Sequence, residues 1–255
     1  MTERVALITG ASAGIGAELA RIFAANGHRL AIAGRREDRL QDLAKEIAAT
    51  GKALPIVIVC DLERPDAGDE VVAALAAADV EVEYVVNNAG FGLFGRAVEL
   101  DRAQQLSIIA VNVSALTDLS LRFADSLIRL RGGILNMGSV AGVWSYPSGA
   151  AYVASKFAVH GYTRALRDDL HGKPVRVTNV APGLVETNFS NVRYKGDEEK
   201  AAAVYANVAL GGPLHAEDVA DCIMFALTRP AHVNIDEIVV LALAQASGAN
   251  VVREP

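Results

Sequence analysis

Tyr152 and Lys156 stand four residues apart in the stretch YVASK. On a helix this spacing puts a phenol and an ammonium on one face, where both reach the same bound molecule. A free phenol, with a pKa of ~10, exchanges protons poorly at neutral pH. Bringing it to pH ~7 takes roughly 4 kcal/mol, and an ammonium about 4 Å away at an effective dielectric of ~20 supplies that order. The pair reads as an acid and base. A second candidate lies near the start: GASAG fits the G-x-S-x-G elbow of serine hydrolases, with Ser12 as nucleophile. Read whole, TGASAGIG (9–16) is instead a glycine turn suited to a phosphate.

The elements that must position these residues decide between the two. Apolar runs recur at 5–9, 30–34, 54–59, 82–86, 133–138, 175–181 and 237–243. Each is nearly continuous rather than alternating, as expected of parallel strands covered on both faces. Between them lie helical patterns, with Leu19, Ile22 and Phe23 on one stripe and Leu40, Leu43 and Ile47 on another. Such alternation predicts a doubly wound α/β fold, a Rossmann-type parallel sheet of about seven strands. The segment 101–130 is apolar on more than one face and predicts a helix buried on both sides. No linker or repeat divides the chain, so residues 1–255 read as a single domain.

A hydrolase elbow needs strands upstream to build half of its oxyanion hole, and only one precedes Ser12. The five histidines give no marked base: His28 and His171 read as surface residues near helix ends, and His160, His215 and His232 as ordinary loop or helix positions. The phosphate reading asks for a strand, a tight turn and a helix N-terminus, and the sequence supplies them in order. The spacing of Gly10, Gly14 and Gly16 departs from G-x-G-x-x-G, so the turn alone is a weak signal. The second strand strengthens it, because its end carries Arg35 and Arg36 with no carboxylate before Glu37. An arginine there accommodates the 2′-phosphate of NADP, whereas NAD calls for an acidic residue. Ser139, in GSVAG, is offered at the carboxyl edge of the fifth strand, NNAG (87–90) follows the fourth, and Asn112 within a buried helix needs hydrogen-bond partners.

Together, TGASAGIG, Asp61, NNAG, Asn112, Ser139, YVASK and APGLVET (181–187) resemble the short-chain dehydrogenase/reductase family over essentially the whole chain. The resemblance implies that Tyr152 donates or accepts the proton, that Lys156 lowers its pKa and holds the nicotinamide ribose, that Ser139 bonds the substrate oxygen, and that Asn112 anchors a water. It further implies NADP(H) contacts at Gly10, Ser12, Ala13, Gly14, Ile15, Gly16, Arg35, Arg36, Asp61, Leu62, Asn88, Ala89, Gly90, Pro182, Gly183, Val185 and Thr187. Ser12 then binds phosphate or ribose and does not attack. Helices 101–130 and 151–170 would build a homotetramer interface, or a dimer's.

The segment at 185–212 is the expected substrate lid. With RDDLHG and RPAHVNIDEI, it resembles the branch of NADP-dependent serine and 3-hydroxy acid dehydrogenases, near malonic semialdehyde and sulfoacetaldehyde reductases. Arg193 and Lys195 would then face an anionic group, arginine being suited to a bidentate carboxylate contact. Trp144, Tyr146 and Phe189 fit a pocket for neutral ketones equally well, which keeps a broad-specificity aldehyde and ketone reductase open. A non-catalytic NADP-binding sensor is the remaining alternative, although such proteins usually lack the tyrosine or lysine.

Composition bounds the rest. Charged residues are 21% and hydrophobic ones 52%, and the net charge of -6 is spread along the chain, which argues against nucleic acid or an anionic membrane as partner. No signal-like segment or membrane-length apolar run is seen, so a cytoplasmic location is expected. Cys60 and Cys222 have no metal-ligand spacing, read as inert core residues, and no metal is expected.

Overall fold

The computed structural model describes residues 2–254. Its centre is a seven-stranded parallel sheet of β1 (Glu3–Thr9), β2 (Arg29–Gly34), β3 (Ile56–Val59), β4 (Val80–Asn87), β5 (Gly133–Met137), β6 (Arg176–Pro182) and β7 (Glu237–Val240). The spatial order is β3-β2-β1-β4-β5-β6-β7. The winding direction reverses between β1 and β4, and ligands of open α/β sheets bind beyond the strand ends at such a point.

Why the strands are apolar on both faces is visible in β1. Ala6 and Ile8 pack with Leu19 and Phe23 of α1 (Gly14–Ala25), Leu40 and Ile47 of α2 (Glu37–Ala49), and Val219 and Ile223 of α10 (Ala216–Leu227). Val5 and Leu7 point to the other core, with Val71 and Leu75 of α3 (Ala67–Ala77), Leu119 and Leu127. Burying each such large side chain stabilises the fold by roughly 1.5–3 kcal/mol. Ile22 is only partly buried at the margin of the first core.

The edges depart from expectation. β3 begins at Ile56 and β7 ends at Val240, both shorter than their apolar runs. Val59 and Val239, on the two edge strands, are about half exposed, and Leu243, beyond the end of β7, is 81% exposed. The expected long helix is also broken: α4 (Arg102–Ile109) runs through a π-turn (Ala110–Ala115) into α5 (Leu116–Arg122), then bends by 52° into α6 (Ala124–Leu130). Among the described residues no single helix is long and apolar enough to cross a membrane, although this bent pair passes that test together. His28 is half-buried against Phe23 and Tyr84 rather than on the surface, and loss of hydration lowers its pKa.

Candidate active site

A cleft of about 1110 Å³ opens along the carboxyl ends of the strands. Its floor is the turn between β1 and α1, which Gly10 and Gly14 enter at φ +67° and +56°, values that side chains rarely allow. A Cβ on Gly10 would meet Ala89 Cα at 2.8 Å, and one on Gly16 would meet Asn88 Nδ2 at 2.5 Å and the Gly10 carbonyl at 2.6 Å. The turn therefore brings bare backbone N–H groups and the N-terminus of α1 to the cleft, which suits an anion such as a pyrophosphate. Gly16 lies beneath this surface, whereas Gly10, Ser12, Ala13, Gly14 and Ile15 line it.

Thr9 ties the turn to the neighbouring strand. Its hydroxyl donates to the Val86 carbonyl at 3.2 Å and accepts from the backbone N–H groups of Asn88 and Ala89 at 3.1 and 3.0 Å. Asn88 Nδ2 donates back to the Thr9 carbonyl at 2.8 Å. Behind it, buried Asn87 donates to Ser120 and to Asn136, and Asn136 donates to Thr163, so a polar chain joins β4 and β5 to α5 and α7 (Ala150–Asp169). NNAG pointed to this loop; Thr9, though it opens TGASAGIG, was given no role of its own.

At the β2 end, Arg35 and Arg36 are exposed on the cleft rim with Asp61 and Leu62 across from them. Arg36 donates to the Ser12 hydroxyl at 3.0 Å and to its carbonyl at 3.2 Å. Neither arginine pairs with a carboxylate among the described residues. This corner gathers two cations and a hydroxyl, a set of donors that fits a phosphate monoester.

The reactive end is built by α7. Tyr152 and Lys156 lie on one face, the ammonium 5.7 Å from the phenol ring centroid. Lys156 Nζ donates to the Met137 carbonyl at 2.6 Å, an anchor the sequence did not announce. Burial pushes the Tyr152 phenol up to about 12, offset by Ser139 and by the charge of Arg193, and pushes Lys156 down to about 8. Desolvation of both groups thus governs the pair in place of a close ion pairing. Ser139 sits at the start of the 3-10 turn Val140–Gly142, its hydroxyl accepting from the Ala141 N–H at 3.1 Å. Asn112, in the π-turn, is 1% exposed; its amide bridges both backbone groups of Phe91, at 3.0 and 2.9 Å, and donates to Ser155 at 2.9 Å. A Cβ on Gly90 would lie 3.1 Å from Asn112 Oδ1 and 3.6 Å from Lys156 Nζ, so both flank that glycine. π-turns inside α-helices often mark functional sites.

Pro182, at the end of β6, and Gly183, Val185 and Thr187 after it continue the cleft wall into the segment expected as a lid, which holds α8 (Phe189–Arg193) and α9 (Glu198–Ala203). Phe189 packs on Tyr152 with ring centroids 5.5 Å apart. Tyr146 and Arg193 line the same end. Trp144 and Lys195 do not line it: Trp144 is 39% exposed, and Lys195 lies in a turn at φ +55° with an exposed side chain. Sequence reasoning missed Phe94 and the C-terminal tail, where Gln245 accepts from the Leu184 N–H at 2.7 Å and Arg253 donates to the lid carbonyls of Val204, at 2.9 Å, and Ala206. Cys60 is buried at the cleft wall, its thiol pushed up to about 11 by desolvation, and Cys222 is likewise a free thiol.

The profile of the short chain dehydrogenases matches residues 4–198. The chain belongs to the short-chain dehydrogenase family. Among curated members it is 40% identical over 248 residues to sulfoacetaldehyde reductase 2 of Chromohalobacter salexigens, covering 96% of each chain. It is 38% identical to the NADP-dependent 3-hydroxy acid dehydrogenase YdfG of Escherichia coli (strain K12), covering 98% of this chain and all of that one. Among solved structures, the closed form of a serine dehydrogenase complexed with NADP+ superposes with a TM-score of 0.89 at 36% identity, over 98% of this chain and 100% of that one. The protein is therefore an oxidoreductase of this family, with the doubly wound fold its members share.

Proposed function

We propose that residues 1–255 form a single catalytic domain that interconverts a small 3-hydroxy acid or its sulfonate analogue with the corresponding aldehyde, using NADP(H). The observation that carries the reading is the placement of Arg193 at the same end of the cleft as Tyr152 and Ser139. Supporting it, the Chromohalobacter salexigens relative reduces sulfoacetaldehyde by name, and the Escherichia coli relative is an NADP-dependent 3-hydroxy acid dehydrogenase.

NADP(H) fits the cleft, because Gly10 and Gly16 let the turn pack against Ala89 and Asn88 closer than any Cβ allows, and Gly10, Ser12, Ala13, Gly14 and Ile15 face the cleft at the start of α1. In this reading Gly10, Ser12, Ala13, Gly14 and Ile15 hold the pyrophosphate and adjacent ribose, Arg35 and Arg36 the 2′-phosphate, Asp61 and Leu62 the adenine. Asn88, Ala89, Gly90, Pro182, Gly183, Val185 and Thr187 border the nicotinamide half. When bound, the cofactor supplies the hydride, and the protein supplies placement and electrostatics. Ser139 and Tyr152 hydrogen-bond the substrate oxygen. Tyr152 gives that oxygen a proton in reduction and recovers it in oxidation, while Lys156, fixed by the Met137 carbonyl, holds ribose hydroxyls, and Ser139 and the charge of Arg193 are what oppose the upward push of burial on the phenol. Asn112, its side chain committed to Phe91 and Ser155, keeps the π-turn in place for a water beside Lys156.

The test is NADPH consumption with malonic semialdehyde, sulfoacetaldehyde and neutral aldehydes and ketones. Preference for the two anions supports the reading, and Arg193→Ala should lower kcat/KM for them by about 100-fold, as expected for a charge-assisted pair. An unchanged value sinks the anion anchor. The rings of Tyr146 and Phe189 near Tyr152 favour the second reading, a broad aldehyde and ketone reductase, and faster turnover of neutral ketones would select it.

A homotetramer, or at least a dimer, is part of the same proposal. Leu106, Leu121 and Phe157 are 53%, 59% and 45% exposed on α4, α5 and α7, and apolar side chains so placed fit an interface. Light scattering should give four times the 26.8 kDa chain mass. A cytoplasmic setting accords with the two free thiols.

A further inference from the structure

Three chain segments meet around the guanidinium of Arg193. Its Cζ lies 5.2 Å from the ring centroid of Phe94 and 5.2 Å from that of Tyr146. Phe94 belongs to the loop after β4, Tyr146 to the loop before α7, and Arg193 to the lid. Backbone bonds join them: Phe94 N–H donates to the Arg193 carbonyl at 3.1 Å, and Gly95 N–H donates to the Ser148 carbonyl at 2.9 Å. Phe94 also packs against Tyr194 at 5.3 Å. Gly149 makes room for the Tyr146 ring, since a Cβ there would lie 2.4 Å from its Cε2.

The other lid-side cations lining this end are already engaged. Lys200 pairs with Asp197 at 2.7 Å, and Arg253 donates to the carbonyls of Val204 and Ala206. Among the described residues, Arg193 is met by aromatic faces instead of a carboxylate or a carbonyl. A guanidinium beside two rings gains from both quadrupoles and, with one donor turned to the Tyr146 side chain, keeps the rest of its planar fork of N–H donors for a ligand. Holding it in one orientation also removes beforehand the rotamer freedom that a free lid arginine would lose on binding. Its charge is felt at Tyr152, where it opposes the upward push of burial.

We propose that Phe94 and Tyr146 are specificity-determining positioning residues, an aromatic clamp that aligns Arg193 for substrates carrying a carboxylate or sulfonate one methylene away from the reacting carbon. The proposal rests on the substrate class given above. It accounts for why the loop after NNAG and the loop before YVASK both carry an aromatic ring at the lid.

The experiment measures kcat/KM of the NADPH-loaded enzyme for malonic semialdehyde and for propanal, which has no charge. The ratio of the two is followed in the wild type, Phe94→Leu, Phe94→Tyr, Arg193→Ala and Phe94→Leu/Arg193→Ala. Phe94→Leu is expected to lower the ratio about tenfold, chiefly through KM for the anion, and Phe94→Tyr, which keeps an aromatic face, to restore it. The double variant should fall no further than Arg193→Ala, since a clamp acts only through what it holds. Equal losses for both substrates, or effects of Phe94→Leu and Arg193→Ala that multiply, would overturn the clamp while leaving the anion reading intact. If Arg193→Ala itself keeps the ratio, the substrate class fails and the clamp fails with it.

Discussion

The two ends of the cleft are built by different means. The cofactor end is shaped by backbone: Gly10, Gly14 and Gly16 leave room that any side chain would fill, and Thr9 locks β1 to the loop after β4. The lid end is shaped by side chains from distant segments, with Phe94, Tyr146, Phe189 and Arg193 brought together by loops and a five-residue helix. Backbone turns tolerate little change, because a Cβ clash cannot be relieved by a rotamer. Side-chain clusters can be re-dressed one residue at a time. Under the proposed function, the first is a fixed redox engine and the second an adjustable substrate filter.

The sharpest separation of the two comes from Tyr152→Phe, which keeps the ring against Phe189 and removes only the hydroxyl. Turnover should fall by about 10²–10⁴, the usual worth of general acid–base catalysis, while NADPH binding measured by fluorescence changes by no more than a few-fold. Residual turnover near the wild-type rate would show that the proton comes from another group.

Gly16→Ala breaks the comparison from the other side. Its new Cβ would press on Asn88 Nδ2 and the Gly10 carbonyl, both under 3 Å away, so the turn must shift. NADPH affinity should drop by about 10–100-fold, in line with the loss of one hydrogen bond to a charged group at about 1.5–3 kcal/mol. Calorimetry reads this directly, and an unperturbed affinity would mean that the turn's shape does not control the cofactor.

How far each end could be read from sequence follows the same division. Strand positions, the glycine turn and the i, i+4 pair are local patterns: VALIT followed by GASAGIG reads as a strand, a tight turn and a helix start. The place of Arg35 on the cleft rim was readable because it depends only on the end of β2. Phe94 was not, since its partner Arg193 lies about a hundred residues away in the chain and its own loop has no period. Lys156 carried a half-right expectation. Its place on the Tyr152 face follows from spacing, but its anchor on the Met137 carbonyl and the dominance of desolvation depend on how deeply α7 is buried. Trp144 misled because an aromatic residue near a site motif reads the same whether it faces the cleft or the solvent.

A smaller effect tests the corner beside Ser12. Arg35→Ala should lower NADPH affinity by about tenfold, close to 1.4 kcal/mol, and leave NADH affinity nearly as it was, which competition binding with the two cofactors would resolve. Equal loss for both would place Arg35 away from the 2′-phosphate. Arg36, already donating to Ser12, should show a weaker preference and an added loss of turn stability.

The gentlest test concerns stability and pH at the reactive end. Folded, Lys156 releases its proton near 8, against 10.5 for the ordinary lysine value. Between these values the unfolded chain binds more protons, so raising the pH favours the folded state. Below 8 both states hold the proton and the buried ammonium exerts its full penalty. Two groups act in the opposite sense: Cys60, held up to about 11 from 9.0, and Tyr152, held up to about 12 from 10.0, remove stability as the pH rises through those windows. Comparing the wild type with Lys156→Met cancels their contributions. The wild type should gain on the variant by up to ~3 kcal/mol in all, a Tm difference that narrows by several degrees between pH 7.5 and 10. A constant difference would mean that Lys156 is not held below its ordinary pKa, and that burial does not govern the reactive end.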